Sequence, residues 1–565
     1  MPRSLLPFCT TALLFALTMP LLAILAPLPA HAQEAAAQAP ARAPLSAADQ
    51  AIAQKLRAHI ESMRDTGANA LRLRDLSLAQ GVAQFYERRD FAPAWTDAGR
   101  LDQLLQELAH TVDDGLDPAD YHLAELQQQR AALADSRDPE QLAQFELLAT
   151  NGYLRALAHL FRGKTDPKTL STQWNFDLND IATAAAMTIV NSAVDGDDIV
   201  SAFNRARPQH PLYGKTRLAL QHLRALAAQG GWPQIDSTVL KPGERSAQIP
   251  LLRQRLVAAG VLTAEQAQAV ATADADLYDN GLVAAVEQFQ REQYLDDDGV
   301  VGAGTRAALN VPVQARIDQL RVNLERGRWL LHELHDTYVL VDVAGYKIYY
   351  YRDNQRVWNS NVQVGKPYRS TPIFKSNVTY VTFNPPWTVP PTILRNDILP
   401  KVRRDIGYLA RNNIRVLDSA GRELAPSQVD WNRPGNIILR QDAGPDASLG
   451  QVAIRFPNTY AVYLHDTPHR ELFASDQRAF SSGCIRVERP LELVELLLDD
   501  KVNWNRAAID AVIAAGKTRN VDLAKRVPIL IAYWTIDIYG DDRATFKPDI
   551  YGRDPDVLKA LNKKV

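Results

Sequence analysis

Cysteine is almost absent from this sequence, with only Cys9 and Cys484 in 565 residues. So few cysteines exclude a disulfide-rich scaffold and any multi-cysteine zinc or iron–sulfur site. An excess of charge of one sign is also lacking, because 63 basic residues stand against 65 acidic ones. This balance excludes nucleic-acid binding by bulk electrostatics. The length and the 46% hydrophobic content predict an ordinary globular protein of about three or four domains.

Long apolar runs are lacking as well, except at the start of the chain. Residues 5–25 are largely apolar and follow Arg3, and Ala30-His31-Ala32 matches the small-x-small pattern of signal cleavage. An uncleaved membrane anchor is the alternative, because the run is long for a signal peptide. We predict a signal peptide over residues 1–32, export, and no membrane span after cleavage. Cleavage would leave Cys484 as the single thiol.

The next part of the chain shows mainly a helical pattern. Residues 33–47 are rich in Ala and Pro, which predicts a linker. Residues 48–244 are predicted to form a helical scaffold domain, since their apolar residues recur at helical spacing. One such stripe is Leu104, Leu105, Leu108 and Val112.

Residues 245–312 form a separate compact unit in the pattern. Apolar positions at Leu251–Leu256 and Leu282–Phe289 predict two short helices, and Asp296–Gly299 predicts a turn. Thr305 is a candidate cap for a third helix. The unit resembles the small three-helix peptidoglycan-binding domain of exported cell-wall enzymes.

After a connecting helix predicted over 313–335, the period changes to that of strands. The catalytic domain is predicted over 336–515, and residues 516–565 are predicted to be a C-terminal strand and tail that pack on the catalytic and scaffold regions. The fold class is therefore multidomain α+β with a mainly-β catalytic part. Predicted strands are Tyr338–Val343, Tyr346–Tyr351, Val378–Phe383, Ile437–Leu439, Val452–Phe456, Ala461–Leu464 and an apolar run over Pro528–Ile538.

Chemistry-bearing residues cluster around Cys484. His465 ends an apolar run, and Cys484 follows the turn Ser481-Ser482-Gly483. A thiol has a pKa of roughly 8.5 and needs a base or positive charge to react at neutral pH. His465 can supply the base, and Arg486 would lie on the same side of an extended segment as Cys484. The N–H groups of Gly483 and Cys484 could face an oxyanion.

Two other interpretations compete with a thiol–imidazole catalyst. A single cysteine beside an apolar run is often buried and inert. A zinc site made of His465, His469 and Cys484 is conceivable, but Pro468 disfavours the helix that would align the two histidines. We therefore predict no metal.

The spacing of His465 and Cys484, and the run from Ser481 to Val487, resemble the signature of the L,D-transpeptidases. The closest resemblance is to their large periplasmic branch, and it covers residue 245 to the end. Supporting stretches are Val364–Pro367, Thr371-Pro372, Asn384–Trp387, Leu449-Gly450 and Phe456–Asn458. Ser482 departs from the histidine common in the broad family.

The resemblance implies roles for individual residues. Cys484 is the nucleophile, His465 the proton donor and acceptor, and the backbone carbonyl of Asp466 orients the imidazole. Gly483 and Cys484 donate to the oxyanion, and Arg486 supports them. A capping insert is expected at about 388–445. Substrate contacts are expected from Trp387, Ser482, Tyr463 and His469, the last also being a competing base.

The resemblance also implies the reaction, which joins two peptidoglycan stem peptides by a 3→3 cross-link through a Cys484 thioester. Peptidoglycan tetrapeptide stems are the expected donor and acceptor, cell-wall synthases or carboxypeptidases are possible partners, and no nucleic acid or cofactor is expected. The expected location is the periplasm of a Gram-negative-type envelope, and carbapenems should acylate Cys484. The alternatives are an L,D-carboxypeptidase or cross-link-cleaving amidase with the same site, or a non-catalytic cell-wall scaffold.

Overall fold

The fold is seen in a computed structural model. It describes residues 44–65, 76–171, 174–175, 178, 183–236, 238–332, 334–444, 446–540 and 542–564. The predicted signal peptide, Cys9 and most of the predicted linker lie outside these residues. Within them, no helix has both the length and the apolarity needed to span a bilayer.

Helices dominate the described residues up to 330. Asp97 begins one of them by accepting a hydrogen bond from the Arg100 N–H, as an N-cap does. In chain order the helices are α1 (Ala47–Asp65), α2 (Leu76–Glu87), α3 (Ala98–His110), α4 (Leu123–Ala132), α5 (Pro139–Arg162), α6 (Pro167–Leu170), α7 (Thr183–Asp195), α8 (Ile199–Ala206), α9 (Pro211–Ala228), α10 (Ile249–Ala258), α11 (Ala264–Gln268), α12 (Asn280–Glu292), α13 (Ala303–Leu309) and α14 (Val313–Leu330).

Strands dominate the remainder, where β-branched and aromatic residues alternate with polar ones. The strands are β1 (Trp174–Asn175), β2 (Tyr338–Asp342), β3 (Lys347–Arg352), β4 (Gln355–Gly365), β5 (Ile373–Phe383), β6 (Trp387–Thr388), β7 (Ile414–Leu417), β8 (Glu423–Leu424), β9 (Ile438–Gln441), β10 (Val452–Arg455), β11 (Leu464–His465), β12 (Ala479–Ser481), β13 (Ile485–Val487), β14 (Arg519–Ala532), β15 (Ile536–Tyr539) and β16 (Arg543–Phe546). Helices α15 (Pro391–Ile393), α16 (Leu399–Arg404), α17 (Gly407–Arg411), α18 (Pro490–Leu498), α19 (Arg506–Ala514) and α20 (Asp554–Leu561) lie among and after them.

The main sheet closes on itself. Its strand order is β5-β10-β11-β13-β4-β3-β2-β14, and β14 pairs back onto β5. Closure leaves these eight strands without a free edge along the circuit. Strand β14 is thus an integral part of the barrel, whereas the sequence predicted a C-terminal strand and tail that pack on the catalytic and scaffold regions.

Neighbouring strands of the barrel present two different faces. Ile454, Leu464 and Ile485 are in register across β10, β11 and β13 and are fully buried. The next row holds Ala453, His465, Arg486 and Gln363, since residues alternate between faces along a strand. This alternation puts the polar, chemistry-bearing side chains on one face of the sheet.

Two smaller units have cores of their own. Residues 387–441 form a four-stranded antiparallel sheet, in the order β6-β9-β7-β8, with α15 to α17. A separate hydrophobic cluster that includes Val402, Val416 and Leu439 fills this insert. Helices α10 to α13 enclose another cluster, which includes Leu252 and Phe289. The main hydrophobic cluster runs from the helical region through the barrel without interruption.

The α+β fold class is confirmed, and several local expectations are corrected. Val112 is exposed, because α3 ends at His110 and the chain turns immediately afterwards. Thr305 lies inside the first turn of α13, where Gln290 donates to its hydroxyl, and Gly302 takes the cap position. The connecting helix α14 ends at Leu330, short of the predicted 335.

Strand boundaries are also corrected at two places. Of the predicted strand 461–464, only Leu464 is in a strand, where it begins β11. The residues before Leu464 form a loop, because the Asn458 side chain bonds the backbone at Tyr460 and Val462. The predicted run Pro528–Ile538 is split into β14 and β15.

Candidate active site

His465 lies at the end of β11 with its imidazole buried. Its Nδ1 is 2.5 Å from the backbone carbonyl oxygen of Asp466. A carbonyl can only accept, so Nδ1 carries the proton and Nε2 is left as an acceptor. The bond fixes the tautomer that a general base needs.

The Asp466 side chain fixes the backbone around that carbonyl. Its carboxylate is buried, accepts the Gln451 N–H at 2.9 Å and pairs with Arg470 at 2.7 Å. Gly450 has a φ of +58°, and a Cβ built there would lie 2.4 Å from the Asp466 carboxylate. Only glycine fits this left-handed, closely packed position.

Cys484 lies in the turn between β12 and β13, one residue before Ile485, which pairs with Leu464. Its thiol donates a long hydrogen bond, 3.7 Å, to the Ala461 carbonyl. The Tyr463 ring stands beside His465, with ring centroids 5.6 Å apart, and Arg455 lies 4.0 Å over the Tyr463 ring. Cys484 therefore directly precedes β13, the strand that pairs in parallel with β11, which carries His465.

Burial controls the protonation of both groups. Burial raises the pKa of the Cys484 thiol, and hydrogen bonding from Tyr463 and the charges of Arg455 and Arg486 lower it only in part. Burial, with the charge of Arg486, lowers the pKa of His465 to about 3. Both shifts favour the neutral form of the group, a protonated thiol and an uncharged imidazole.

Arg486 brings a positive charge into this site. Its guanidinium donates to the Gln363 side-chain oxygen at 3.1 Å, and its Nε is buried without a hydrogen-bond partner. No carboxylate among the described residues forms an ion pair with it, and burial lowers its pKa, offset in part by Cys484. A half-buried cation without a counter-ion favours negative charge at its neighbour, the sulfur atom.

The turn before Cys484 makes one expected oxyanion donor unavailable in this state. Gly483 has a φ of +115°, and its N–H donates to the Ser481 hydroxyl at 3.1 Å. Among the described residues the Cys484 N–H has no hydrogen-bond partner. Of the two expected donors, the Cys484 N–H is therefore the one that has no partner in this structure.

The other expected site residues have separate surroundings. Trp387 is half-buried and packs against the core of the insert. Ser482 is exposed and accepts a hydrogen bond from Arg369 at 3.0 Å. The His469 side chain is 63% exposed and lies 3.5 Å from Glu471, so it lacks the rigid setting of His465. In the described part of the chain, no group of three or more His, Cys, Asp or Glu side chains could hold a metal ion.

Sequence reasoning missed four participants at the site. Gln363, Arg455 and Thr371 come from strands and a loop far from Cys484 in the chain. Thr371 belongs to the Thr371-Pro372 stretch that supports the resemblance, but no local pattern indicates a role for any of the three. The Ala461 carbonyl is presented by a residue with a φ of +55°, which only the folded loop reveals.

Comparisons with known proteins find matches in three separate parts of the chain. The family description "L,D-transpeptidase catalytic domain" matches residues 336–509 and includes both His465 and Cys484. This part of the chain belongs to the L,D-transpeptidase family. A "Putative peptidoglycan binding domain" matches residues 245–309, and a "Scaffold domain" matches residues 80–220.

One relative and two solved structures complete the comparison. A Haemophilus influenzae protein named "Putative L,D-transpeptidase" is 35% identical over 242 residues, which cover 42% of this chain and 48% of the relative. The chain thus matches about half of that relative's length. The Ldtfm–avibactam carbamoyl enzyme shares 12% identity and covers 39% of this chain and 63% of its own, with a TM-score of 0.18. The structure of an L,D-transpeptidase from Xylanimonas cellulosilytica shares 15% sequence identity with this chain. The match covers 53% of this chain and 98% of the other, with a TM-score of 0.17. Such low scores support no statement about this chain.

Proposed function

We propose that this protein is a peptidoglycan L,D-transpeptidase that forms 3→3 cross-links through a thioester on Cys484. The observation that carries the proposal is the placement of Cys484 directly before the strand that pairs with the strand of His465, whose tautomer is fixed, inside residues that match the L,D-transpeptidase catalytic domain. The match to a peptidoglycan-binding domain supports the same substrate class. With the predicted signal peptide, it supports a periplasmic location.

The proposed reaction begins from the neutral pair. The sulfur of Cys484 attacks the carbonyl of the third residue of a tetrapeptide stem while His465 Nε2 takes the thiol proton. The Cys484 N–H stabilises the oxyanion, and Arg486 stabilises negative charge on sulfur. Collapse breaks the peptide bond, and the terminal D-alanine leaves with the proton from His465.

The second half of the reaction reverses these roles. The side-chain amine of a neighbouring stem attacks the thioester carbonyl, and His465 accepts a proton from the amine. The new amide forms as the Cys484 thiolate leaves and is reprotonated. Water competes with the amine, so shielding of the thioester favours transfer over hydrolysis. The insert, residues 387–441, is proposed to provide that shield, with Trp387 at its start taking part.

The test is incubation of the purified protein with disaccharide tetrapeptides, followed by separation of the products. Wild type should give 3→3 dimers, and Cys484→Ala should give none. His465→Ala should lower the rate by about 10²–10⁴-fold. His222→Ala is the matched control, since this histidine is exposed on α9 and pairs with Asp542. It should leave the rate unchanged.

The same preparations distinguish the alternatives. Shortened monomers without dimers would establish a hydrolase and contradict transpeptidation. Intact mass after carbapenem treatment should show one covalent adduct in wild type and none in Cys484→Ala. Dimers formed by Cys484→Ala would contradict the thioester mechanism altogether.

A further inference from the structure

The peptide group that joins Gly483 to Cys484 is held from behind by a loop, residues 365–371. The Thr371 hydroxyl donates to the Gly483 carbonyl at 2.9 Å and accepts the Gly365 N–H at 2.9 Å. Thr371 is fully buried. A Cβ at Gly365 would lie 2.2 Å from the Arg369 carbonyl oxygen, so the loop is folded tightly onto itself.

Holding this carbonyl also aims an N–H group. The carbonyl of Gly483 and the N–H of Cys484 belong to one planar trans peptide, in which the two groups point in opposite directions. The bond from Thr371 therefore directs the Cys484 N–H away from the loop. That N–H is the donor left for an oxyanion, because the Gly483 N–H is bonded to Ser481. A hydrogen bond to the carbonyl also polarises the peptide and makes its N–H a better donor.

Thr371 is in turn held by the C-terminal segment. The Tyr551 hydroxyl donates to the Gly365 carbonyl at 2.7 Å and accepts the Thr371 N–H at 3.2 Å. The Tyr551 ring is stacked on Tyr533 at 5.4 Å, and Arg553 lies 5.0 Å from its centroid. Residue 551 lies outside the stretch that matches the catalytic domain.

We propose that Thr371 and Tyr551 are positioning residues for the oxyanion site. Thr371 aims the Cys484 N–H, and Tyr551 holds Thr371. The inference rests on the proposed function for its natural substrate, but it concerns any acyl transfer to Cys484. Through Tyr551, the C-terminal segment then contributes to the site as well as to the barrel.

Two reactions of the same thiol test this proposal. Alkylation by iodoacetamide forms an S–C bond with loss of iodide and develops no oxyanion. Acetylation by p-nitrophenyl acetate forms a thioester through an oxyanion and expels nitrophenolate. Removing one oxyanion donor costs about 10²–10³-fold in rate, so misaiming one should cost less. Thr371→Val should lower the ratio of acetylation to alkylation rate about 10-fold.

Companion variants separate positioning from folding. Thr371→Ser keeps the hydroxyl and should restore the wild-type ratio, whereas Tyr551→Phe should lower the ratio by a smaller factor. Tyr153→Phe is the control, because this buried hydroxyl in α5 bonds the Val190 carbonyl far along the chain. It should leave the ratio unchanged.

The outcomes differ from those of the function assay. An unchanged ratio in Thr371→Val would overturn the proposal, and so would an equal fall of both rates, which indicates a merely structural role. A lowered ratio in a protein whose wild type makes no muropeptide dimers would support the positioning roles while contradicting transpeptidation.

Discussion

Two arginine side chains of the helical region have buried acidic partners and contrast with Arg486 at the candidate active site. Arg328 on α14 is fully buried and pairs at 2.5 Å with Glu325, which is also fully buried. Arg207 likewise pairs with the buried Asp114 at 3.0 Å. At the site, Arg486 faces a neutral amide and a thiol, with no carboxylate partner among the described residues.

The difference separates buried charges that are paired with an acid from a half-buried charge that is not. A buried pair offsets its own desolvation, and removal of one partner leaves an uncompensated charge. Arg486 is not neutralised by an acid, so its positive field remains available to an anion. The anion that arises in the proposed reaction is the Cys484 sulfur, followed by the tetrahedral oxygen.

The largest expected effect comes from breaking a pair in the helical region. Arg328→Met should destabilise the protein by about 3–5 kcal/mol, because Glu325 would remain charged and buried. The measurement is the free energy of unfolding in urea. Arg328 also donates to the Tyr213 hydroxyl and the Asp114 carbonyl, so Arg328→Met with Glu325→Leu should recover only part of the loss. A loss below about 1 kcal/mol would contradict the assignment of this pair to stability.

The second prediction concerns the same substitution, arginine to methionine, at the candidate active site. Here we expect a loss of reactivity and little loss of stability. Arg486→Met should leave the free energy of unfolding within about 1 kcal/mol of wild type, since no buried acid loses its partner. Acylation of Cys484 should fall about 10- to 100-fold, the range expected for one interaction with a charged group.

The pH dependence of thiol reactivity should also change in a defined direction. Burial raises the pKa of the Cys484 thiol and Arg486 lowers it, so the variant's thiol pKa should lie higher than that of wild type. The iodoacetamide rate should rise with pH in both proteins, and the midpoint should move to higher pH in Arg486→Met. Arg486→Lys retains a charge and should stay near wild type. A pH-independent rate between pH 6 and 8 would indicate a thiolate–imidazolium pair instead.

Local pattern predicted much of this site, and long-range pairing supplied the rest. His465 and Cys484 could be identified because each lies in a short motif, and because His465 ends an apolar run that predicts a strand. Thr371 and Gln363 could not be assigned roles, since their contacts depend on how β4 and β5 are placed in a closed barrel. No residue signal in the sequence shows that β14 completes that barrel.

The same reason explains the local errors. Val112 fits the stripe of α3 by spacing alone, but the helix ends two residues before it. Residues 461–463 have strand composition, but the Asn458 side chain occupies their backbone groups. In each case a side-chain or terminal hydrogen bond outweighs a propensity of less than about 1 kcal/mol.

The smallest expected effect concerns an ion pair that is neither fully buried nor unpartnered. Arg369 bonds Ser482 in the turn before Cys484 and pairs with Asp397 of the insert at 2.6 Å, with 18% and 41% of the two side chains exposed. Asp397→Asn should change the free energy of unfolding by less than about 1 kcal/mol, because water screens exposed pairs. Added salt should narrow the small difference between wild type and variant, because only wild type has the pair that salt screens. A loss as large as that of Arg328→Met would show that partial exposure is not what separates weak pairs from strong ones in this molecule.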